Sequence, residues 1–260
     1  MTANPLDMTG RVVIVTGGPR GVGRGICECF LAQGADVVMC ARRDADTPVE
    51  AGGRKAVFVE ADLKQLESIE AVVAFTTDRF GRLDVLVNNA GGAPAADAAT
   101  VSPRFSESII QLNLTSALHF SQKANAVMQQ QDEGGSIISI SSVSALRPSP
   151  GTAAYGAAKA GLLSLTRTLA VEWAPKVRVN SITAGMIRTE LAHLHYGDEA
   201  GIEKVAATVP LGRLGTPEDV GNTCLYLASP LASYVSGADI LMHGGGERPA
   251  FLDAAEPQPE

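Results

Sequence analysis

Two side chains in the second half of the chain have the types and spacing of an acid–base pair. Tyr155 and Lys159 stand four positions apart in a segment rich in alanine and leucine, which favours helix. On a helix this spacing places both side chains on one face, one turn from each other. A free tyrosine has a pKa of about 10, and a nearby lysine ammonium favours the phenolate and lowers that pKa. The pair therefore suits proton transfer to or from an alcohol or a ketone.

A hydroxyl group precedes this pair. Ser142 lies thirteen residues before Tyr155 and directly follows a strand predicted over 136–141. From the end of that strand, its hydroxyl can hold a substrate oxygen. The three residues together indicate a site that acts on the oxygen of an alcohol or ketone.

The elements that must position this chemistry begin with a glycine-rich turn near the N-terminus. A strand predicted over 11–16 leads into Gly17, Gly21 and Gly23, and a helix follows that ends near Gly34. Strand, glycine turn and helix are the context of a dinucleotide phosphate site. Glycine lets the backbone approach the diphosphate, and the helix N-terminus offers free N–H groups. The spacing G-x-x-x-G-x-G differs from the common G-x-G-x-x-G fingerprint.

The end of the second predicted strand, 35–40, bears on the choice of cofactor. NAD sites place a carboxylate there for the ribose 2′-hydroxyl, whereas NADP sites place arginine nearby. Here the strand is followed by Arg42 and Arg43, and the first carboxylate is that of Asp44. Arg20, inside the glycine turn, adds charge to the same pocket, and arginine matches a phosphate in geometry and charge. NADP(H) is favoured, with NAD(H) as the alternative.

Asp62, which follows the strand predicted over 56–60, has two compatible interpretations. Its carboxylate can accept a hydrogen bond from an adenine amino group, next to Leu63. It can also cap the helix predicted over 65–79, because aspartate is a favoured N-cap residue.

Asparagine side chains mark the next part of the chain. A strand predicted over 83–87 leads into Asn88-Asn89-Ala90-Gly91, at the edge where doubly wound sheets bind ligands. Asn113 falls inside a long helix predicted over 105–128. An asparagine among apolar neighbours is costly when unsatisfied, so we expect Asn113 to have a defined partner.

These motifs, in this order and at these distances, resemble those of the short-chain dehydrogenase/reductase family. The likeness covers about residues 8–246 and rests on Thr16 to Gly23, Asn88 to Gly91, Asn113, Ser142, and Tyr155 with Lys159. It implies an α/β fold: a single Rossmann-like, doubly wound domain with a seven-stranded parallel sheet between two layers of helices. Residues 247–260 would form a C-terminal tail outside this domain.

The resemblance also implies roles for individual residues. Tyr155 would donate or accept the proton, and Lys159 would lower its pKa and bind the nicotinamide ribose. Ser142, selected over Ser141 and Ser144 by its offset from the tyrosine, would orient the substrate oxygen. Asn113 would hold a water of a proton relay, Asn88 would line the cofactor site, and Asn89 would support the central sheet. The residues expected at the cofactor are Gly17, Arg20, Gly21, Val22, Gly23, Arg42, Asp62, Leu63, Asn89, Ala90, Gly91, Tyr155, Lys159, Gly185, Ile187 and Thr189.

By the same resemblance, residues 188–212 form a substrate lid, in which two short helical patterns occur at 191–194 and 200–209. Ile187 and Thr189 resemble residues that hold the nicotinamide carboxamide. His193, His195 and Tyr196 can contact substrate or can simply be exposed lid residues.

Two positions depart from the family pattern. Ala184 stands where proline is usual, which predicts a looser loop but removes no catalytic atom. His243 stands where aspartate is common, beside a strand that lies near subunit contacts in the family, so it is a candidate for altered assembly. The tail is expected to be disordered in large part, or to dock Phe251 and Leu252 on a neighbouring subunit.

Composition narrows the remaining possibilities. The net charge of -7 over 260 residues argues against a nucleic-acid partner. The N-terminus lacks the pattern of a secretory signal, and no apolar run approaches the roughly eighteen residues of a membrane span. The four cysteines suit neither a metal site nor a disulfide framework, so we expect no metal and buried free thiols in a reducing cytoplasm.

The sequence therefore predicts an NAD(P)(H)-dependent oxidoreductase that interconverts a small ketone and a secondary alcohol and assembles as a homotetramer or homodimer. A reductase of β-ketoacyl thioesters is the alternative among enzymes. An exposed basic patch beside the cleft, able to meet an acidic carrier protein, would favour it. The alternative from another class is a non-catalytic cofactor-binding protein on the same fold.

Overall fold

The structure, a computed structural model, describes residues 4–247 and 249–255. Its strands are β1 (Val12–Thr16), β2 (Asp36–Ala41), β3 (Glu50–Ala51), β4 (Arg54–Lys55), β5 (Val57–Glu60), β6 (Val85–Asn88), β7 (Gly135–Ser142), β8 (Val177–Ala184) and β9 (Asp239–Met242). Seven of these form one parallel sheet in the order β5-β2-β1-β6-β7-β8-β9. The sheet predicted from the sequence is confirmed, and each predicted strand lies within two residues of its observed bounds. The short antiparallel hairpin of β3 and β4 was not predicted.

The helices are α1 (Gly21–Ala32), α2 (Leu66–Phe80), α3 (Pro103–Ile110), α4 (Ser116–Met128), α5 (Ala153–Glu172), α6 (His193–Tyr196), α7 (Glu199–Ala207), α8 (Pro217–Ala228) and α9 (Ala250–Ala254). The prediction of one continuous helix over 105–128 is wrong, because the segment is interrupted. A π-helical turn, Gln111–Thr115, separates α3 from α4. Asn113 lies within that turn, and its side chain donates to the carbonyl of Ile109 at 2.9 Å. A side chain that takes up a backbone carbonyl is one cause of such a local widening of the helix.

The sheet lies between two layers of helices, each with its own apolar core. Successive side chains of a strand point to opposite faces. In β1, Val13 and Val15 accordingly face a core that includes Phe30 of α1 and Val220 of α8. Ile14 points to the other face, where residues of α2, α4 and α5 pack, including Phe120. Burying each of these large apolar side chains contributes roughly 1.5–3 kcal/mol, so the sheet is stabilised from both sides.

Two close contacts bring α1 and α8 together. A Cβ atom on Gly25 would lie 2.4 Å from Cβ of Pro217, and one on Gly221 would lie 2.5 Å from Sγ of Cys29. Small residues at both positions therefore let the two helix backbones approach. This contact holds α1, whose N-terminus faces the candidate site, against the rest of the domain.

Two helix starts differ in their capping. Thr216 caps α8, and a capping box with Asp219 completes it. The prediction that Asp62 caps α2 is wrong, because the cap position is Gln65 and has no side-chain cap bond. Asp62 instead accepts a hydrogen bond from the backbone N–H of Lys64 at 3.1 Å, which closes the turn ahead of the helix.

The tail and the cysteines complete the description. The tail contains the short helix α9, in which Phe251 is 70% exposed, while residues 248 and 256–260 lie outside the described part of the chain. Its docking on a second subunit stays a prediction. All four cysteines are free, but Cys29 is only half-buried, so the expectation of buried thiols holds for the other three. Within residues 4–247 and 249–255, no helix is both long and apolar enough to span a membrane.

Candidate active site

A cleft of about 1520 Å³ runs along the carboxyl ends of the parallel strands. Sheets of this kind bind ligands at that edge. The glycine turn after β1 and Arg42 after β2 line one part of the cleft, and Tyr155 and Lys159 of α5 line another. One continuous cavity therefore joins the predicted phosphate-binding and proton-transfer residues.

The glycine turn after β1 needs glycine at particular positions. Gly17 has a φ of +67°, a region that favours glycine. A Cβ atom on Gly23 would lie 2.2 Å from the carbonyl oxygen of Gly17, so any larger side chain would push the turn away from α1. These two glycines let the backbone of the turn pack closely against the start of α1.

Hydrogen bonds from Thr16 join the ends of β1 and β6. Its hydroxyl accepts from the backbone N–H groups of Asn89 and Ala90, both at 2.9 Å. The Asn89 side chain returns a hydrogen bond to the carbonyl of Thr16 at 2.8 Å and also lines the cleft. Asn89 thus supports the sheet as predicted. The expectation that Asn88 lines the cofactor site is wrong, because its buried side chain turns into the helix layer and donates to Ser121 at 2.9 Å.

Charged side chains collect where β2 ends. Arg42, Arg43 and Arg20 are exposed and line the cleft. Among the ion pairs of residues 4–247 and 249–255, none involves these three arginines. Asp44 and Asp46 also line this region, so both signs of charge are present. The arginines come first along the chain after the strand, as the sequence indicated.

The end of β5 contributes a further group of lining residues. Asp62 and Leu63 lie in the cleft wall, as predicted. Lys64 lines it as well, and its Nζ lies 3.3 Å from Oγ of Ser108 in α3. The sequence interpretation missed Lys64, although its position directly after Asp62 and Leu63 was available as a signal.

Lys159 is 3% exposed, and its Nζ donates to the carbonyl of Ile140 in β7 at 2.8 Å. Burial lowers the pKa of Lys159 to about 8, because the charged ammonium loses its hydration. The Nζ atom lies 5.6 Å from the centre of the Tyr155 ring. The two side chains therefore share one pocket, as their spacing on α5 predicted.

The pKa of Tyr155 differs from the expectation. Burial raises it, and a hydrogen bond with the Ser142 side chain opposes that rise in part. The predicted lowering by Lys159 is not seen in the protein alone. The physical reason is that desolvation disfavours the phenolate, while the ammonium is turned toward the carbonyl of Ile140. The neutral phenol is thus the resting form of Tyr155 near neutral pH.

The three neighbouring serines have different surroundings. Ser142 is half-buried at the end of β7 and lines the cleft beside Tyr155. The hydroxyl of Ser141 donates to the backbone carbonyl of Lys159 at 3.1 Å, which ties β7 to α5. The hydroxyl of Ser144 is 3.0 Å from that of Ser149. The hydroxyl of Ser142 accepts from the backbone N–H of Ser144 at 3.2 Å, and the residue faces the same cleft as Tyr155.

Asn113 lies behind the cleft wall, 1% exposed. Its Oδ1 accepts from the N–H of Gly92 at 2.8 Å, and its Nδ2 donates to the carbonyls of Gly92 and Ile109 at 3.0 and 2.9 Å. A Cβ atom on Gly91 would lie 2.5 Å from Oδ1 of Asn113 and 3.1 Å from Nζ of Lys159. Asn113 thus has the defined partners that were expected, and it fixes the backbone next to Lys159.

The segment after β8 completes the wall. Gly185 and Ile187 line the cleft, whereas Thr189 lies beside Gly21 at the start of α1. Glu190 and Leu191 also line the cleft, and the sequence interpretation missed both, because the side of the lid that faces the cleft depends on how the lid packs on the domain.

Both departures from the family pattern lie close to this segment. Ala184 is buried at the end of β8, 7% exposed. His243 packs directly against Gly185, since a Cβ atom added to Gly185 would lie 2.8 Å from Cα of His243. His243 therefore supports the loop from behind, within the same chain. Its predicted effect on assembly stays a prediction.

A nicotinamide dinucleotide fits these residues. The Gly17–Gly23 turn brings the start of α1 to the cleft, the position at which a helix N-terminus binds a diphosphate, and the N-cap residue Arg20 makes no side-chain cap bond there. The glycine at position 91 leaves open the space directly over Lys159 and Asn113, which a side chain would fill. The donor set thus matches a phosphate-rich ligand at one end and a ribose at the other.

Comparison with known proteins agrees with this arrangement. A family model described as enoyl-(acyl carrier protein) reductase matches residues 17–247. L-rhamnose 1-dehydrogenase (NAD(P)(+)) of Azotobacter vinelandii is 36% identical over 245 residues, covering 90% of this chain and 96% of that protein. 3alpha-hydroxysteroid dehydrogenase of Mediterraneibacter gnavus is 35% identical, covering 92% of this chain and 97% of that protein. The ligand-free structure of Thermoplasma acidophilum aldohexose dehydrogenase superposes with a TM-score of 0.86 at 29% identity, covering 98% and 99% of the two chains.

Proposed function

Because the chain belongs to the short-chain dehydrogenase/reductase family and is an NAD(P)-dependent oxidoreductase acting on CH–OH groups, we propose that it interconverts a ketone and a secondary alcohol with Tyr155 as the general acid and base. The main support for the proposal is that Tyr155, Lys159 and Ser142 line the same cleft, which is large enough for the cofactor. The alternative of a non-catalytic cofactor-binding protein is less well supported, because the relatives of this chain include named dehydrogenases.

The chemistry is divided between cofactor and protein. When bound, the nicotinamide supplies or accepts the hydride at the substrate carbon. In reduction, the Tyr155 hydroxyl donates its proton to the substrate oxygen, and the Ser142 hydroxyl holds that oxygen by a hydrogen bond. In oxidation, the Tyr155 phenolate removes the proton, and the Lys159 ammonium stabilises the phenolate.

The resting state of the site favours the acid role of Tyr155. Burial raises the pKa of Tyr155, so its proton is present at neutral pH before substrate arrives. Asn113 holds the Gly91–Gly92 backbone that limits the space beside Lys159. Asn113 is accordingly proposed as a positioning residue, and a water held by it as part of a proton relay remains an expectation.

NADP(H) is proposed as the preferred cofactor, with NAD(H) as the alternative. Arg42 is the first residue after β2, and Arg20 lies in the glycine turn after β1; both line the cleft. Guanidinium groups bind the ribose 2′-phosphate of NADP by charge and by paired hydrogen bonds. Asp44 and Asp46 would oppose that phosphate, so the preference depends on which side chains lie nearer the ribose.

The proposed substrate is a small alcohol or ketone beneath a lid formed by residues 188–212. The relatives named above act on a sugar or a steroid by their names, which supports a small-molecule substrate. A β-ketoacyl thioester carried by an acidic protein would favour free basic groups near the lid. Arg147, Arg188 and Arg213 each pair with a carboxylate. Lys204 of the lid and the three cleft arginines form no ion pair within residues 4–247 and 249–255, so a β-ketoacyl thioester stays the alternative substrate. A dimer or tetramer and a cytoplasmic location remain predictions.

The experiment that tests this function measures NADPH oxidation with a panel of small ketones, steroid ketones, and β-ketoacyl thioesters. The reverse reaction with the matching alcohols and NADP⁺ runs beside it. We expect turnover with one group of carbonyl compounds and its alcohols. Turnover of β-ketoacyl thioesters alone would show that the substrate is a thioester and not a small alcohol or ketone. Tight cofactor binding without turnover of any compound would contradict the proposed reaction.

A further inference from the structure

Glu190, near the start of the lid, makes an unexpected contact with the start of α1. Its Oε1 accepts a hydrogen bond at 2.9 Å from the backbone N–H of Gly21, which is 169 positions away in the sequence. Gly21 is the first residue of α1, and the first N–H groups of a helix have no partner within it. The carboxylate of Glu190 therefore satisfies an N–H group that the helix itself leaves open.

Helix α1 itself supplies no anionic group at this end. Its cap residue, Arg20, forms no side-chain cap bond, and its first turn contains no acidic residue. The partial positive charge of a helix N-terminus favours an anion. Glu190 supplies that anion from a distant part of the chain, while its own side chain is exposed and lines the large cleft.

The same N-terminus belongs to the proposed diphosphate site. The diphosphate of a dinucleotide is an anion and would use the N–H groups of the Gly17–Gly23 turn and the start of α1. A carboxylate that already accepts from Gly21 competes for this position, and its charge repels the diphosphate if it stays nearby. Cofactor binding therefore has to displace Glu190 or be weakened by it.

We propose that Glu190 is an internal competitor for the cofactor diphosphate and that it sets the affinity of the protein for the cofactor. The inference rests on the proposed cofactor site. It predicts an effect common to NAD(H) and NADP(H), since both contain the diphosphate. It also predicts that cofactor binding releases the base of the lid from α1, because Glu190 and its neighbour Thr189 lie against Gly21.

The main test compares Glu190→Gln with wild type by calorimetric titration of NADP⁺ and of NAD⁺. Glutamine keeps an oxygen that can accept from Gly21 but removes the charge. We expect both cofactors to bind about threefold to tenfold more tightly to the variant. Equal or weaker binding of both cofactors to Glu190→Gln would overturn the inference.

Glu199→Gln is the matched control. Glu199 lies in the same lid and pairs with Arg188 at 2.7 Å, so this variant removes the same charge without touching α1. We expect its cofactor affinities to stay within about twofold of wild type. An equal increase in cofactor affinity in both variants would mean that the overall negative charge of the lid weakens cofactor binding. Glu190 would then have no specific role.

Amide hydrogen exchange gives a second readout that does not depend on activity. In the cofactor-free protein, Glu190→Ala removes the acceptor, so exchange in the peptide containing Gly21 should become faster than in wild type. Unchanged exchange would contradict the contact itself. Failure of the wild type to bind either cofactor would instead contradict the proposed cofactor site, which separates the two failures.

Discussion

Lys159 is the residue whose burial has the clearest measurable consequence. Its pKa falls to about 8 in the folded protein because the ammonium is desolvated, whereas an unfolded lysine keeps a pKa near 10.4. Between these two values the unfolded chain binds more protons than the folded one. The contribution of Lys159 to stability therefore increases as the pH rises through this range.

This linkage predicts a difference between wild type and Lys159→Met. From pH 8 to pH 10, the free energy of unfolding of wild type should rise by about 1–2 kcal/mol relative to the variant. Other groups titrate in both proteins and cancel in the comparison. Urea unfolding at a series of pH values checks this, and a difference that stays constant over the range would show that Lys159 is not desolvated as described.

Arg42 carries the prediction on cofactor choice. Arg42→Ala removes a guanidinium from the end of β2, where the ribose 2′-phosphate is proposed to bind. We expect NADP⁺ to bind about fivefold to tenfold more weakly, and NAD⁺ to change by less than about twofold. Fluorescence titration of both cofactors measures this, with NAD⁺ as the internal control. An equal change for the two cofactors would remove the argument for NADP(H).

At the scale of elements, helix α8 has the most complete capping. The Thr216 hydroxyl accepts from the N–H of Asp219 at 3.2 Å, and the Asp219 carboxylate accepts from the N–H of Thr216 at 2.8 Å. Arg213 also contacts this carboxylate, and its hydrogen bonds lower the pKa of Asp219 to about 2. The cap fixes the start of a helix that packs on α1 and so supports the cofactor turn.

Thr216→Ala should therefore lower the free energy of unfolding by about 1 kcal/mol at neutral pH. Thr216→Ser keeps the hydroxyl and should recover most of that loss. Chemical denaturation of both variants is the measurement. Equal losses in the alanine and serine variants would show that packing of the threonine methyl group, not the cap, is responsible.

The π-helical turn at Asn113 shows what the helical periodicity of a segment does not reveal. The sequence predicted continuous helix through 105–128, since apolar residues recur there with helical spacing. It also predicted that Asn113 needs a partner. It did not identify Gly92 as that partner, because the bond joins two segments whose approach depends on the whole sheet. A helical pattern in one segment therefore does not identify a partner that lies in a distant segment.

At the scale of the whole molecule, the sheet was predictable and the cleft wall was only partly so. The strands were recognisable because each is a short apolar run with β-branched residues, as in Val12–Thr16. The glycine turn and the Tyr155–Lys159 pair have fixed spacing and could be placed directly. Glu190 could not, since its orientation follows from how the lid packs against the start of α1.

The assembly prediction belongs to this scale as well. Strand β9 forms one edge of the sheet, and large apolar side chains are exposed on it and before it, including Leu241 at 46% and Leu231 at 56%. Apolar groups gathered at a sheet edge are typical of surfaces that pair with another chain. We expect light scattering to give the mass of two or four chains, and Leu241→Arg to give a smaller mass. A wild-type monomer would contradict the prediction.

The central claim is that the Tyr155 hydroxyl transfers the proton and is not needed to hold the cofactor. The most direct measurement is turnover of the wild type's best substrate by Tyr155→Phe, together with the Kd of the variant for NADP⁺. Removing only the hydroxyl should lower kcat by about a hundredfold or more and leave that Kd within about twofold. Turnover near the wild-type rate would contradict the claim, because the proton would then have to come from another group.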